Sequence, residues 1–202
     1  MFDFLRRKPP LDPAIASRVP PGQAVTEKWP VLHYGGVPNI SREAWKLRLF
    51  GLIDGDPLIL TWNDLLALPH TQLTRDIHCV TRWTRLDVEF AGVLFTDLLQ
   101  RVKLKPEATH VVVHAEHNYT TNLSLEDLTQ PDVIIAHKAD GKDLEAVHGG
   151  PVRLVVPHLY FWKSAKWLTG FEFVDRDRAG FWESYGYHMR GDPWLEQRYS
   201  GD

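Results

Sequence analysis

The chain has 202 residues, 44% of them hydrophobic, and a formal net charge of −3 with its ten histidines counted as neutral. This length and composition suit one globular domain with an ordinary core, which needs no stabilising disulfide or structural metal. Acidic and basic residues are interspersed, so no basic face indicates nucleic-acid binding, and a single cysteine excludes an internal disulfide.

The first 30 residues contain six of the 14 prolines, which predicts an extended arm on the surface of the domain. The pair Arg6-Arg7 would suit an export signal, but Lys8-Pro9-Pro10 stands where an apolar run should follow. No run of 18 apolar residues occurs, so no membrane span is expected. We therefore expect a soluble, cytoplasmic protein in which residues 1–202 form a single domain.

Short β-branched and aromatic runs between turn residues predict strands from Trp45 onward. Trp45, Leu47 and Leu49 alternate with charged residues, a pattern typical of a half-buried strand. The predicted strands cover residues 45–49, 58–60, 93–95, 111–113, 119–123, 133–136, 152–156 and 171–174.

The predicted helices are short. Thr61 and Ser124 each have an aspartate three positions later, a variant of the capping box, and Thr96 is predicted to cap a third helix that ends at Leu99. Strands outnumber helices, so the sequence predicts an α+β fold with a strand-dominated core and short peripheral helices. No G-x-G-x-x-G motif follows a strand, which argues against a dinucleotide-binding sheet.

Cys79 is the first candidate for chemistry. His78, Arg82 and Arg85 lie within six residues of it, and nearby positive charge lowers the pKa of a thiol and favours the thiolate. A soft thiolate is a suitable ligand for a transition metal. The alternative is an inert, buried thiol, and the local chemistry alone does not decide between the two.

Three neighbouring histidines, His110, His114 and His117, invite comparison with a zinc site. The three valines at 111–113 predict a strand, in which positions four apart lie roughly 13 Å from each other. One ion cannot contact both His110 and His114 across that distance without a bulge. With one cysteine and no H-E-x-x-H motif, the zinc interpretation is disfavoured.

Two segments predict an anion-binding site. The first, residues 148–153, has two glycines that free the backbone for close approach to a ligand, followed by Arg153 at the start of a buried strand. A buried guanidinium is costly unless it meets an anion, and its planar fork suits phosphate. The second, residues 161–167, places Lys163 and Lys166 among aromatic and small residues, where backbone N–H groups and lysine charge would bind an anion. Each basic residue alone could be salt-bridged; together they indicate one phosphorylated ligand.

The aromatic content is high, with eight Trp, six Tyr and nine Phe. These residues either pack in the core and at its rim or form the walls of a deep pocket, and composition does not choose between these alternatives.

These motifs resemble, in order and spacing, those of the sulfite oxidase family of molybdopterin oxidoreductases. The similarity begins at about Pro20 and is carried by residues 31–38, 76–83, 148–153 and 163–166. The Cys79 motif alone is not specific, whereas four motifs in family order are. The resemblance implies the family's mixed α+β fold and a molybdenum–molybdopterin cofactor, with the metal held by the pterin dithiolene and one protein thiolate.

The resemblance also assigns roles to residues of this chain. Cys79 occupies the position of the metal ligand, and His148 and Arg153 match a cofactor-binding pair spaced five residues apart. His114 is a looser match, because the loop before it varies in length. The arm segment that touches the pterin corresponds to His33, Tyr34 and Gly35. The stretch whose backbone and lysine hold the cofactor phosphate corresponds to Ser164, Ala165 and Lys166.

Departures from the family narrow the expected activity. Residues 80–83 read Val-Thr-Arg-Trp, where true sulfite oxidases have a Gly-Asn-Arg-Arg-like run. The sequence is closer to the branch with the catalytic subunit of the periplasmic methionine-sulfoxide reductase. With 202 residues, we expect neither the family's heme domain nor its C-terminal dimerisation domain in this chain. We expect an enzyme that exchanges an oxo group or two electrons with a small sulfur- or nitrogen-centred substrate, with a separate electron-transfer partner protein.

Two alternatives remain. One is sulfite oxidation, in which Arg82 and Arg85 would hold a small oxyanion; the other is a non-enzymatic carrier of the cofactor. If the chain stays extended beyond Cys79, the two arginines lie on opposite faces of it. Arg82 is then predicted to reach the substrate entrance as a catalytic residue, while Arg85 pairs with a carboxylate such as Asp87.

Overall fold

The computed structural model describes residues 12–202, which form two β-sheets connected by short helices. None of the helices in this part of the chain is long and apolar enough to cross a membrane. In chain order the strands are β1 (Ala24–Val25), β2 (Lys46–Gly51), β3 (Leu58–Thr61), β4 (Thr71–Cys79), β5 (Trp83–Leu94), β6 (His110–Ala115), β7 (Thr120–Ser124), β8 (Ile134–Ala139), β9 (Lys142–Asp143), β10 (Arg153–Val155) and β11 (Leu168–Val174). The helices are α1 (Pro13–Ala16), α2 (Trp62–Leu66), α3 (Phe95–Leu99), α4 (Leu125–Leu128) and α5 (Phe181–Ser184). The predicted α+β class is confirmed.

The five-stranded sheet has the order β3-β2-β11-β6-β7. Its central pair, β2 and β11, is parallel, with Phe171 opposite Leu49. Leu47 and Leu49 are buried, whereas Lys46 and Arg48 are exposed, as expected for a strand with one face toward the core. The alternation read from the sequence in this strand is therefore confirmed.

The six-stranded sheet has the order β1-β5-β8-β10. Two further strands join it: β4 pairs with β5, and β9 pairs with β8. Ile135 and Leu154 pack in a cluster that also contains residues of the five-stranded sheet. Ile134 and Val155 pack in a second cluster with Phe161. Because successive residues of a strand face opposite sides, this sheet is buried on both faces at β8 and β10.

The β4–β5 hairpin was not predicted, and it fixes the position of Cys79. Cys79 is the last residue of β4 and lies opposite Trp83 in the register of the hairpin. Arg82 adopts φ +71° in the turn, and its N–H donates to the carbonyl of Cys79 at 2.9 Å. The extended course expected through Arg82 is therefore wrong, because the chain reverses at this turn.

The N-terminal arm, predicted to be extended, contains regular secondary structure from residue 13 onward. It contains α1 and then β1, which pairs in parallel with the start of β5, Ala24 opposite Trp83. Residues 1–11 lie outside the described part of the chain. The arm therefore contributes a strand to the six-stranded sheet before it reaches Trp29.

Two of the three predicted helix caps are confirmed. The Thr61 side chain accepts a hydrogen bond from the N–H of Asp64, whose carboxylate accepts from the N–H of Thr61. At α4, the Ser124 side chain accepts from the N–H of Asp127. The cap at Thr96 is wrong. Helix α3 begins at Phe95, next to the end of β5, so Thr96 lies inside the helix and no side chain caps it.

Candidate active site

A cavity of about 320 Å³ lies beside the end of β4 and the start of β10. Five of the eight tryptophans line it: Trp29, Trp83, Trp162, Trp167 and Trp182. Of the two explanations for the high aromatic content, the aromatic-walled pocket accounts for these five residues.

Seven of the eleven residues predicted for the site line this cavity: His33, Tyr34, Cys79, Arg153, Ser164, Ala165 and Lys166. They come from the arm, from the end of β4, from the start of β10 and from the segment before β11. The fold therefore brings residues of all four motifs that carry the family resemblance into one cavity wall. The remaining four predicted residues, Arg82, Gly35, His114 and His148, lie outside the cavity wall.

The thiol of Cys79 is buried among aromatic residues. It packs in a cluster with Val80, Tyr160 and Trp162 and accepts a hydrogen bond from Thr81 Oγ1 at 3.2 Å. Burial raises the pKa of this thiol, so the expectation that nearby basic residues lower the pKa is wrong. The hairpin gives the physical reason: His78 is itself buried with its pKa lowered to about 4, so it is neutral at pH 7.

A buried thiol with a raised pKa can be an inert core residue or a metal ligand. A bound metal cation deprotonates a coordinating thiol outright, whatever the pKa of the free group. The neighbours therefore decide between the two, and they include a buried arginine and a half-buried lysine that line the same cavity.

The first of these cations is Arg153, whose side chain is fully buried. Its guanidinium donates to the carbonyls of His148 and Ser164, both at 2.8 Å, and lies 4.1 Å from the centre of the Phe161 ring. Within residues 12–202 no carboxylate pairs with it, and burial lowers its pKa to about 9. An unpaired buried cation is costly in free energy, and an anionic ligand would offset that cost.

The second cation is Lys166. Its ammonium donates to the carbonyl of Val147 at 2.6 Å and forms no ion pair with any described carboxylate. Burial, and then the charge of Arg153, lower the pKa of Lys166 to about 7. In the described part of the chain, the backbone N–H groups of Ala165 and Lys166 donate no hydrogen bond. Two unpaired cations and two free N–H groups in one cavity without a lining carboxylate fit a phosphate group.

His148 holds the Arg153 side chain in place. The carbonyl of His148 accepts a hydrogen bond from Arg153, while the imidazole of His148 stacks on Trp29, with ring centres 4.3 Å apart. Burial lowers the pKa of His148 to about 4. The glycine that follows was expected to leave room for a ligand. Instead, a Cβ at Gly149 would lie 3.0 Å from Lys166 Cα, so this glycine lets two parts of the chain approach each other.

The arm segment lies at the mouth of the cavity. Leu32 and Tyr34 line the cavity and are about half exposed, 51% and 47% respectively, so this side of the cavity faces solvent. His33 Nδ1 donates to the carbonyl of Gly35 at 2.9 Å. Gly35 has φ +73° and packs against His117, which stabilises the turn rather than the cavity wall.

Two predicted residues point elsewhere. His114 lies on the five-stranded sheet, where its imidazole is 3.0 Å from the carboxylate of Glu172. Arg82 is exposed at the tip of the hairpin turn. The basic residue after it, Arg85, pairs with Asp140 at 2.6 Å rather than with the predicted Asp87. No group of three potential ligands for a metal ion occurs among the described His, Cys, Asp and Glu residues.

The sequence analysis did not identify Glu183, which holds the indole of Trp162 in place. Lys163 was assigned to an anion cradle, but its ammonium is fully buried against Glu183 Oε1 at 2.6 Å. The same carboxylate oxygen accepts from Trp162 Nε1 at 2.8 Å and from Thr121 Oγ1 at 2.9 Å. No local motif links Lys163 and Glu183, which are twenty positions apart. The only signal in the sequence is that each charged residue stands among aromatic and small residues.

Comparison with known proteins places this site in a family. Residues 34–182 match the family model described as the oxidoreductase molybdopterin binding domain. The chain is 47% identical over 188 residues to the uncharacterized oxidoreductase YuiH of Bacillus subtilis, covering 93% of this chain and 94% of that protein. It is 28% identical over 164 residues to the protein-methionine-sulfoxide reductase catalytic subunit MsrP of Campylobacter jejuni, covering 73% of this chain and 54% of MsrP.

A solved structure gives the same result. The sulfane dehydrogenase SoxCD of Paracoccus pantotrophus superposes with a TM-score of 0.66 at 26% identity, over 71% of this chain and 41% of that chain. The matched family segment contains Cys79, Arg153 and Lys166, and the cavity formed by these residues fits a phosphorylated cofactor. The chain therefore belongs to the oxidoreductase molybdopterin-binding domain family and is a molybdopterin-dependent oxidoreductase of sulfite oxidase type.

Proposed function

We propose that this enzyme reduces small S-oxides or N-oxides. In the net reaction, the substrate gives up its oxygen atom and takes up two electrons and two protons, yielding a thioether or amine and water. The observation that carries this proposal is the surroundings of Cys79: the thiol packs with aromatic residues. The nearby guanidinium of Arg198 donates to the carbonyl of Val80 at 2.9 Å, lies over the ring of Tyr160 and does not line the cavity. Such a site suits a neutral substrate.

In this proposal, residues of the cavity wall hold the molybdenum cofactor. Cys79 is the thiolate ligand of molybdenum. Arg153 and Lys166, with the free N–H groups of Ala165 and Lys166, bind the cofactor phosphate, while Ser164 accepts from Arg153 through its carbonyl and positions it. When bound, the molybdenum–pterin group supplies two-electron oxygen-atom exchange, and the protein supplies binding and orientation.

Sulfite oxidation is less well supported. An oxyanion substrate needs a cation near the metal ligand, and Arg82 and Arg85 were the candidates. The first is exposed at a turn and the second is paired with Asp140. The only charged side chains that line the cavity within residues 12–202 are Arg153 and Lys166, which are assigned to the cofactor.

A cofactor carrier is also less well supported, because the cavity faces solvent at Leu32 and Tyr34. A cavity that faces solvent serves a substrate, whereas a store of cofactor would be closed above the metal. The proposal further includes a separate electron-donor protein, a cytoplasmic location and a single domain with its N-terminal arm. Cell fractionation of the full-length protein tests the location.

The function is tested by metal analysis and paired assays. We expect about one molybdenum per chain, and dye-coupled reduction of dimethyl sulfoxide, methionine sulfoxide or trimethylamine N-oxide at rates well above those of sulfite oxidation. Turnover of sulfite with an electron acceptor, without reduction of any S-oxide or N-oxide, would overturn the proposal. Full cofactor content with neither activity would favour the carrier.

A further inference from the structure

We propose that four aromatic residues beside Cys79, namely Trp83, Trp162, Trp182 and Tyr187, form a substrate subsite for a methylated, positively polarised nitrogen or sulfur group. We call these four residues the aromatic box. The inference rests on the proposed function and deepens it, because it names which end of the substrate the protein recognises.

The box is defined by its contacts. All four residues line the cavity, and Cys79 packs in the same cluster with them. The Tyr187 ring lies 5.2 Å from the ring of Trp162 at 82° and 5.2 Å from the ring of Trp182 at 35°. The rings of Trp162, Trp182 and Tyr187 therefore meet at differing angles, and Trp83 packs in the same cluster as the thiol.

Charge divides the cavity into two parts. The two cations that line the cavity contact rings outside the box: Arg153 lies over Phe161 at 4.1 Å, and Lys166 lies 5.8 Å from the ring of Trp167. The ammonium of Lys163 lies 5.9 Å from the ring of Trp162, but it is paired with Glu183 and does not line the cavity. No acidic side chain of residues 12–202 lines the cavity. A cationic group in the box therefore has only ring faces to bind it, and these faces carry the negative part of the aromatic quadrupole.

This arrangement matches the polarity of an S-oxide or N-oxide. Such a molecule carries its negative charge on oxygen and the compensating positive charge on nitrogen or sulfur and its methyl groups. Aromatic cages recognise methylated ammonium groups by cation–π attraction. The same ring faces repel an oxyanion, so the box favours methylated oxides over sulfite or nitrate.

The box is held rigid by buried polar contacts. Trp162 Nε1 donates to Glu183, which is paired with Lys163, and neither of these charged side chains is exposed. At the six-membered ring of the same indole, a Cβ at Gly191 would lie 2.7 Å from Trp162 Cη2. A wall fixed before ligand binding loses little conformational entropy on binding, which raises affinity.

Binding of two isosteres to the holoenzyme tests the inference. Choline and 3,3-dimethylbutan-1-ol have the same shape, but only choline is charged, and neither has an oxide oxygen to be reduced. We expect calorimetry to show choline binding roughly tenfold more tightly than the neutral alcohol. Trp182→Leu should remove most of this preference with unchanged molybdenum content, and Tyr187→Leu serves if Trp182→Leu does not fold.

Trp194→Leu is the matched control. Trp194 is 47% exposed, its ring is 6.2 Å from that of His78, and it lies outside the cavity wall. The control should keep the preference for choline. Equal binding of both ligands by the wild-type enzyme, or the same loss in Trp194→Leu, would overturn the inference. If S-oxides and N-oxides are reduced while choline shows no preference, the proposed function stands and the box fails; sulfite turnover alone would remove the proposed function instead.

Discussion

Arg153 and Lys166 approach each other across Gly149, and the missing side chain of that glycine makes the approach possible. A Cβ at Gly149 would lie 3.1 Å from Arg153 Cβ and 3.0 Å from both Cα and Cβ of Lys166. The two cations thus lie in one cavity, and part of the decrease in the pKa of Lys166 comes from Arg153. This mutual repulsion is relieved when an anion binds between them.

The first prediction concerns cofactor retention. Arg153→Ala should be isolated largely empty of pterin, because removing one partner of a buried charge pair costs about 2–5 kcal/mol, or roughly 30- to 5000-fold in affinity. Molybdenum and phosphorus content per chain measure the loss. Since Arg153 also donates to the carbonyls of His148 and Ser164, Lys166→Met provides a second variant that leaves those bonds intact.

A matched control is Arg85→Ala. Arg85 carries the same charge and lies 5.3 Å from the ring of Trp29, but it pairs with Asp140 and does not line the cavity. This variant should retain the cofactor. Full occupancy in both Arg153→Ala and Lys166→Met would contradict the phosphate assignment.

Residue chemistry indicated Cys79 as a possible metal ligand and Arg153 and Lys166 as anion-binding residues, and the family resemblance joined the three in one predicted site. Neither was sufficient to predict the β4–β5 hairpin. Much of β4 alternates between half-buried and exposed positions with polar residues, so it lacks the β-branched run that marked the other strands. The Lys163–Glu183 pair was missed because tertiary packing, rather than spacing along the chain, joins the two residues.

The second prediction concerns the metal ligand. Cys79→Ser should fold but lose the spectroscopic signature of molybdenum–thiolate bonding and the reductase activity, since the serine hydroxyl is a harder and weaker ligand. Thr81→Val is the control: it removes the hydroxyl that donates to the sulfur at 3.2 Å and keeps the thiol. Wild-type turnover by Cys79→Ser would show that Cys79 is structural.

The third prediction concerns Arg82. The side chain lies at an exposed turn outside the cavity, so Arg82→Ala should have small and equal effects on the KM of a neutral S-oxide and of an anionic substrate. Steady-state kinetics with both kinds of substrate measure the two values. A selective rise in KM for the anionic substrate would instead restore the entrance role that the sequence suggested and strengthen the sulfite-type alternative.

The fourth prediction concerns Gly191, which has φ +80° and no room for a Cβ next to Trp162. Gly191→Ala should lower the free energy of unfolding by about 1–3 kcal/mol through overpacking, beyond the backbone strain. Gly186→Ala isolates that strain, because Gly186 has φ +92° but nothing within 4 Å of a Cβ. Denaturant unfolding measures the free energy of unfolding of both variants. Equal decreases would mean that the Trp162 ring moves aside without a measurable loss of stability.

The fifth prediction concerns stability in acid and rests on His137, a buried histidine of β8. Its Nε2 has no hydrogen-bond partner among the described residues, and its ring lies 5.1 Å from that of His70. Burial, followed by the charges of His70 and Lys138, lowers the pKa of His137 to about 4. The unfolded chain binds a proton at this position below about pH 6.5, whereas the folded chain does not until about pH 4. The stability contributed by the neutral ring is therefore complete above pH 6.5 and is lost as the pH falls toward 4, at no more than about 1.4 kcal/mol per pH unit.

His137→Gln should flatten the decline in unfolding free energy across this window. An NMR titration of the His137 ring protons, assigned by the peak missing from the variant, should give a midpoint near pH 4. A midpoint at or above pH 6.5, or the same pH dependence in both proteins, would show that His137 is charged in the folded protein and does not contribute to its acid sensitivity.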